Sequence, residues 1–163
     1  MELICLQEKD FNIIKEIYDY YILHSTITFH LEPLSVEALK EFIPMNHPLY
    51  TSYLITEDGK ACGYCYIGPF SKRPAYFRTA EITIYLKPDA THKGIGKQVL
   101  EKLTKIAKAK GIKVLLGGIT ATNIPSIRLF ESCGFEKCAH YKQVGEKFNQ
   151  VLDVVFYQKI LGN

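Results

Sequence analysis

The sequence predicts an α/β or α+β sandwich that contains one β-α-β unit at residues 80–119. Residues 80–86, AEITIYL, alternate apolar and polar side chains with the period of a strand. A glycine turn follows, and residues 99–107 then carry an apolar stripe at helical spacing. Gly111 ends this helix, and the apolar run 112–119 predicts a second strand. A helix that connects two strands of one sheet is typical of a parallel pair.

Two helices are predicted after a short first strand. LICL (3–6) is short and apolar, which favours a strand. Asp10 is expected to cap a helix that runs from Phe11 to about Leu23. Ser35 is expected to cap a second helix that ends near Ile43.

Short apolar runs predict three further strands, at residues 53–56, 60–67 and 151–160. The Asp58-Gly59 pair between the first two of them indicates a β-hairpin. Pro125 suits the first turn of a helix that ends at Gly134. The predicted order is therefore β-α-α-β-β-β-α-β-α-β, in a single domain that spans residues 1–163.

Composition excludes several classes of protein. Hydrophobic residues make up 47% of the chain and charged residues 23%, which is ordinary for a globular domain. The net charge of +3 is too small to indicate a nucleic-acid partner. No stretch approaches the roughly 18 apolar residues of a membrane span, and the N-terminus lacks the pattern of a signal peptide. We therefore expect a soluble cytoplasmic protein that binds neither nucleic acid nor membrane.

Cysteines are the residues that could most readily suggest a metal site here. Cys62 and Cys65 form a C-x-x-C pair, and Cys133 and Cys138 lie further on. Zinc needs four ligands that converge on one point, whereas residues three apart on a strand face opposite sides of the sheet. We expect no metal, and reduced thiols in all five cysteines.

The glycine turn PDATHKGIGKQVLEKL (88–103) has the order strand, turn, helix that builds an anion site. Gly94 and Gly96 allow a ligand to approach the unpaired N–H groups of the helix start. The turn lacks the lysine-hydroxyl pair of a P-loop, and Val99 stands where a dinucleotide fingerprint has its third small residue. A simple helix-entry turn remains an alternative from these residues alone.

Four stretches extend the comparison beyond the glycines. The turn resembles motif A of the GNAT superfamily of N-acetyltransferases, Q/R-x-x-G-x-G/A, with Thr91 in place of the usual Gln or Arg. The chain is most similar to the phosphinothricin, or L-amino acid, N-acetyltransferase branch, through STITFHLEP, GPFSKRPAYFRTAEITIYLKPD, NIPSIRLFESCGF and VGEKFNQVLDVVFYQ. The resemblance implies a mixed, mostly antiparallel sheet flanked by helices, in which strands 80–86 and 112–119 splay to hold acetyl-CoA.

The resemblance also implies which residues contact acetyl-CoA. The pantetheine arm would pair with the strand at 84–86, the pyrophosphate would lie on the glycine turn, and Asn123 would contact the cofactor as well as cap its helix. The implied set is Ile84, Tyr85, Leu86, His92, Lys93, Gly94, Ile95, Gly96, Lys97, Asn123 and Ser126. Phe130 stands where many members have a proton-donating Tyr, so the group that protonates the leaving thiolate is open.

Glu81 is the candidate general base. Acetyl transfer needs a neutral amine, and amines are mostly protonated at neutral pH. The T-A-E-I-T-I-Y segment matches the part of this branch that carries its proposed base, and partial burial would raise the pKa of Glu81. Its pattern alone favours an outward-facing strand residue.

For the acceptor, the resemblance implies contacts from Phe29, Arg73, Tyr76 and Lys147. Arginine binds a carboxylate in bidentate geometry, which suits an amino-acid-like acceptor. Asp153 matches a position of the same pattern and is either functional or structural. Phe70 and Val151 replace frequent tryptophans, so the identity of the acceptor is not carried over. Members of this branch are often dimeric, which makes a homodimer the implied assembly.

Other functions stay open at this stage. A non-catalytic acyl-CoA-binding module on the same fold would share the glycine turn. A nucleotide-binding β-α-β protein would share the strand-turn-helix order. The acceptor could also be a protein N-terminus, a polyamine or an aminoglycoside.

Overall fold

The computed structural model describes residues 1–162, and these residues form one seven-stranded sheet with helices on both faces. The four helices are α1 (Phe11–His24), α2 (Val36–Phe42), α3 (Ile95–Ala109) and α4 (Ile124–Ser132). The strands are β1 (Glu2–Cys5), β2 (Thr51–Glu57), β3 (Lys60–Pro69), β4 (Thr79–Leu86), β5 (Val114–Thr120), β6 (Glu136–Lys147) and β7 (Gln150–Ile160). Within residues 1–162, no helix is long and apolar enough to cross a membrane.

The order of the strands in the sheet is β1-β2-β3-β4-β5-β7-β6. Every neighbouring pair is antiparallel except β4 and β5, which are parallel and are connected by α3. The β-α-β unit predicted at residues 80–119 is therefore confirmed, as is the mostly antiparallel sheet that the resemblance implies.

Two apolar layers hold the helices against the sheet. Phe11 and Ile14 of α1 and Leu39 of α2 are fully buried on one face, where they belong to a cluster with Tyr64 of β3. The other face packs against α3 and α4 through a cluster that includes Leu103 of α3. The buried residues of α3 follow the helical spacing that the sequence predicts for its apolar stripe.

The capping predictions have different outcomes at the first two helices. Ser35 accepts a hydrogen bond from the Ala38 N–H at 3.1 Å, so its cap of α2 is confirmed. Asp10 makes no side-chain cap for α1, and that prediction is wrong. Its carboxylate instead accepts from the Gln7 N–H at 2.8 Å and closes a short 3₁₀ turn before the helix.

The sequence prediction lacks one strand, β6. It pairs with β7 at the edge of the sheet, but its residues are mostly polar and exposed, so no alternation marks it. The pairing is irregular between Tyr141 and Gly145, and Gln143 adopts a positive φ of 57°. Asp153 of β7 supports this bulge, since its carboxylate accepts from the Gln143 N–H at 2.8 Å and lies 2.7 Å from His140 Nε2. These hydrogen bonds lower the pKa of Asp153.

Candidate active site

The parallel pair β4–β5 separates after three residues. Pairing joins Thr79–Glu81 to Val114–Leu116 and is recorded for no later residue of either strand within the described chain. Both strands nevertheless continue, β4 to Leu86 and β5 to Thr120. The result is a wedge between their C-terminal halves, as the resemblance implies.

The register of β3 and β4 shows which backbone groups face this wedge. Lys87 donates its N–H to the Cys62 carbonyl at 2.8 Å, and the register continues without a shift along β4. Hydrogen-bonding sides alternate along a strand, so the backbone groups of Tyr85 also point to β3. The N–H groups of Ile84 and Leu86 point into the wedge, where a ligand can pair with them.

A cavity of about 600 Å³ occupies the wedge and continues to the glycine turn. Its lining contains most of the residues expected at the cofactor: Ile84, Tyr85, Leu86, His92, Gly94, Gly96, Lys97, Asn123 and Ser126. Two expected residues lie outside the lining. Lys93 is exposed, and the Ile95 side chain is 1% exposed and belongs to the core, which leaves its backbone N–H for a ligand.

The glycine turn has the geometry of an anion cradle. Gly94, the N-cap residue of α3, adopts a φ of 77°, which glycine tolerates best. The Gln98 N–H makes the first helical hydrogen bond, to the Gly94 carbonyl at 3.3 Å. The N–H groups of residues 95–97 precede that bond and have no intrahelical partner. Thr91 donates its hydroxyl to the Pro88 carbonyl at 2.8 Å, so it stabilises the turn itself.

Helix α4 forms the wall of the cavity beside β5. Asn123 caps the helix, accepting from the Ser126 N–H at 3.3 Å. The Phe130 ring lies against Gly117, where an added Cβ would be 2.2 Å from the ring. This close approach requires glycine at position 117 and places an apolar ring, without a proton to donate, in the lining.

Helix α1 contributes residues that the sequence analysis did not assign to the site. Tyr20, Tyr21 and His24 line the cavity. The Tyr21 hydroxyl donates to the Leu86 carbonyl at 2.5 Å, which ties the end of α1 to the end of β4. Tyr20 and Tyr21 fit the apolar stripe of the helix, so their spacing indicated a core role and gave no signal for this contact.

Glu81 is the last residue of β4 that pairs with β5. It shares a strand face with Tyr85, which packs on the α1–α2 cluster. Its register partners are Leu116 and Gly68. Gly68 has no side chain, and the Tyr66 ring lies 3.4 Å from the position that an added Cβ would take. Burial raises the pKa of the Glu81 carboxyl. The cavity lining on this strand begins at the next residue, Ile82.

The residues expected at the acceptor occupy two exposed loops and one buried position. Phe29 lies over Gly145, where an added Cβ would be 2.4 Å from the ring. Arg73 lies 5.1 Å from the centroid of the Tyr76 ring. Lys147 is only 3% exposed and donates from Nζ to the Thr28 carbonyl at 2.9 Å. Its ammonium therefore reaches the 25–30 loop rather than the cavity.

All five cysteines are free thiols. The part of the chain that the structure describes, residues 1–162, contains no group of three or more His, Cys, Asp or Glu side chains placed to hold a metal ion. The C-x-x-C pair is therefore not part of such a group, and burial raises the pKa of the Cys65 thiol.

Substitution of Gly96 by Ala should weaken binding of acetyl-CoA, the ligand that the resemblance implies. The new Cβ would lie 3.2 Å from the Leu129 side chain, which can shift, so folding should be tolerated. The added methyl would crowd the cradle, and we expect about a tenfold increase in Kd, measured by calorimetry, for one disturbed contact. Gly111→Ala, at a positive φ of 85° beyond the end of α3, strains the backbone away from the cavity, so it controls for a loss of affinity that follows only from lower stability. Unchanged affinity in Gly96→Ala would contradict this assignment of the cradle.

Comparison with known proteins agrees with this geometry. Residues 3–156 match the family model of the acetyltransferase (GNAT) domain. The chain is 30% identical over 159 residues to phosphinothricin N-acetyltransferase of Streptomyces coelicolor, covering 94% of this chain and 92% of that protein. It is 31% identical over 146 residues to the L-methionine sulfoximine/L-methionine sulfone acetyltransferase of Salmonella typhimurium, covering 89% and 85%.

One of the similar solved structures contains acetyl-CoA. The phosphinothricin acetyltransferase of the GNAT superfamily from Sinorhizobium meliloti, in complex with acetyl-CoA, matches with a TM-score of 0.91 and 32% identity, covering 99% of this chain and 88% of that chain. The free edge of β4, the glycine cradle and the cavity of about 600 Å³ fit the same ligand. The chain therefore belongs to the GNAT acetyltransferase family and is an acetyl-CoA-dependent N-acetyltransferase.

Proposed function

We propose that the acceptor is the amino group of a small amino-acid-like molecule, of the phosphinothricin or methionine sulfoximine type, and that Glu81 is the general base. The observation that carries the proposal is the position of Glu81, a partly buried carboxylate with a raised pKa at the point where β4 and β5 separate. The names of the relatives from Streptomyces coelicolor and Salmonella typhimurium support the class of acceptor.

Glu81 removes a proton from the ammonium form of the acceptor, directly or through a water. A base of higher pKa takes a proton from an amine more readily than an ordinary carboxylate does. Burial raises the pKa of Glu81, because it disfavours the charged carboxylate. The acceptor approaches from the face of β4 that carries Glu81, beside Gly68, which has no side chain.

A backbone N–H polarises the thioester carbonyl. The candidates are Ile84 and Leu86, whose N–H groups face the wedge, whereas Tyr85 points its N–H to β3. A fixed donor of this kind stabilises the negative charge that develops on the oxygen during attack by the amine. Acetyl transfer is direct, so the amine nitrogen forms the new amide bond as the carbon–sulfur bond breaks. The proton that the nitrogen loses in this step passes to solvent or to the leaving thiolate.

Protonation of the leaving thiolate does not involve Phe130, which has no proton to give. The thiolate leaves as an anion and takes a proton from solvent or from another group at the cavity. A thiol has a pKa near 8.5, so its thiolate is a moderate base and leaves without strong assistance.

Two loops supply the acceptor contacts in this proposal. Arg73 binds the carboxylate of the acceptor, and the rings of Phe29 and Tyr76 cover its apolar part. Tyr76 stacks edge to face with Phe70 at 5.4 Å, so the ring that replaces a frequent tryptophan shapes the same wall. Lys147 acts on the acceptor indirectly, through its hydrogen bond to the 25–30 loop.

A thiol-release assay with acetyl-CoA and a panel of amines tests the proposed acceptor. The panel contains phosphinothricin, methionine sulfoximine, methionine sulfone, ordinary amino acids, a polyamine, an aminoglycoside and a peptide with a free N-terminus. We expect the highest kcat/KM for one of the amino-acid-like compounds. Preference for the polyamine, the aminoglycoside or the peptide would contradict the proposed class.

Replacement of Glu81 by Gln should lower kcat by about 10²–10⁴-fold, the usual contribution of a general base. The affinity for acetyl-CoA, measured by calorimetry, should stay the same, because Glu81 lies outside the cavity lining. Glu101→Gln, on the exposed face of α3, is the matched control and should keep wild-type turnover. Full activity of Glu81→Gln would show that another group, or the solvent, accepts the proton.

The same substitution should change the pH dependence of stability. Glu81 has a higher pKa folded than unfolded, so its ionisation costs more in the folded state, and wild-type stability falls as pH rises through the folded pKa. Glu81→Gln removes this loss. Its free energy of unfolding in urea, relative to wild type, should therefore increase from about pH 4 towards neutral pH. A constant difference across this range would contradict a buried Glu81.

A further inference from the structure

Thr28 is a buried polar residue, 7% exposed, that connects two distant parts of the chain. Its Oγ1 lies 2.6 Å from the Tyr18 hydroxyl of α1, and its carbonyl accepts from Lys147 Nζ of β6 at 2.9 Å. The hydroxyl and the carbonyl of one loop residue therefore bind two different elements. The 25–30 loop cannot move at Thr28 without breaking one of these hydrogen bonds.

Tyr18 connects this residue to the strand that binds acetyl-CoA. Its ring contacts the Tyr85 ring edge to face at 5.3 Å, and its hydroxyl also lies 2.5 Å from His30 Nδ1. Tyr85 belongs to the same face of β4 as Glu81. Tyr18 therefore connects the 25–30 loop to one face of β4. In the proposed function, the acceptor approaches from this face.

Lys147 binds the carbonyl of Thr28, and burial of its ammonium costs desolvation free energy. A buried ammonium normally requires a carboxylate partner, yet none of the ion pairs within residues 1–162 includes Lys147. Burial lowers the pKa of Lys147, which reflects this cost. The hydrogen bond to the Thr28 carbonyl and the Phe148 ring, 5.2 Å from Nζ, are the contacts that accompany the charge.

The residues on both sides of Thr28 are also held. Thr120 of β5 donates its hydroxyl to the Thr26 carbonyl at 2.8 Å. Phe29 lies against Gly145 of β6, which has no side chain to displace the ring. The loop therefore has attachments to α1, β5 and β6, and Thr28 makes two of them with buried atoms.

We propose that Thr28 and Lys147 are positioning residues for the acceptor: together they fix the 25–30 loop, and hence Phe29, at the height above β4 that the acceptor requires. The proposal rests on the proposed function, in which Phe29 covers the acceptor. Neither residue contacts the reacting atoms. Each acts on the loop at Thr28 and Phe29, which lie outside the cavity lining, whereas Ser25 and Ile27 of the same loop belong to it. Loss of either residue should therefore affect the acceptor more strongly than acetyl-CoA.

Two substitutions test this role in the full chain. Thr28→Val keeps the shape of the side chain and removes its hydroxyl, and Lys147→Met keeps the length and removes the ammonium. For each we expect KM for the preferred amine of the acceptor panel to rise about tenfold, as for one lost buried hydrogen bond, with Kd for acetyl-CoA within about twofold of wild type. Thr28→Ser, which keeps the hydroxyl, should restore most of the acceptor KM.

The chain offers a matched control for each substitution. Thr104→Val removes a hydroxyl that donates to the Leu100 carbonyl at 2.7 Å on α3, away from the cavity. Lys159→Met removes an ammonium that donates to the Cys133 carbonyl at 2.6 Å. Lys159→Met loses the same type of bond as Lys147→Met, and Thr104→Val loses a hydroxyl hydrogen bond within one helix. Neither bond involves the 25–30 loop, so both controls should keep the wild-type acceptor KM. If Thr28→Val does not fold, Tyr18→Phe removes the same hydrogen bond from the α1 side.

Amide hydrogen exchange of residues 25–31 in the free protein separates this proposal from the proposed function. We expect faster exchange in Thr28→Val and Lys147→Met than in wild type and in both controls. Unchanged exchange, or an unchanged acceptor KM, would overturn the positioning role, as would an equal loss of acetyl-CoA affinity. A wild-type protein that acetylates no amino-acid-like compound would overturn the proposed acceptor and leave the exchange experiment to decide the role of Thr28 and Lys147 in the loop.

Discussion

The end of hydrogen bonding between β4 and β5 after Glu81 and Leu116 is the constraint on which the rest of the site depends. A parallel sheet that continued to Leu86 would satisfy every backbone group of β4 and leave no edge for a ligand. Separation at this point leaves the N–H groups of Ile84 and Leu86 unpaired by strand neighbours within the described chain. Polar backbone groups in a cleft require partners, and an extended ligand arm supplies them.

Several neighbouring features follow from this separation. Helix α3 begins after the glycine turn that follows β4. Its free N–H groups therefore lie at one end of the wedge, and Gly94 and Gly96 leave them accessible. Helix α4 follows β5 and fills the other wall with Phe130, which Gly117 admits. Glu81 stands at the apex, on the opposite face from α3. In the proposed function, the cofactor and the acceptor reach the apex from different sides, and the buried network around Thr28 positions the loop on the acceptor side.

Most of this arrangement could be predicted from the sequence, because the pattern that predicts each element lies within one short segment. Each of three patterns predicts one element: the alternation of residues 80–86, the glycine turn and the apolar stripe of α3. The resemblance to one family then connected their order with acetyl-CoA binding. The edge strand β6 was missed because exposed polar residues carry no period. The contacts of Tyr21 with Leu86 and of Lys147 with Thr28 join residues 65 and 119 positions apart, a separation that periodicity cannot report.

In this account, acetyl-CoA binds in the wedge between β4 and β5. Amide hydrogen exchange of individual β4 residues, measured by NMR with and without acetyl-CoA, tests this binding site most directly. The register predicts that binding slows exchange at Ile84 and Leu86 and leaves Tyr85 unchanged, because the Tyr85 N–H already pairs with β3. Protection at Tyr85 alone, or no change at Ile84 and Leu86 when acetyl-CoA is bound, would contradict the account.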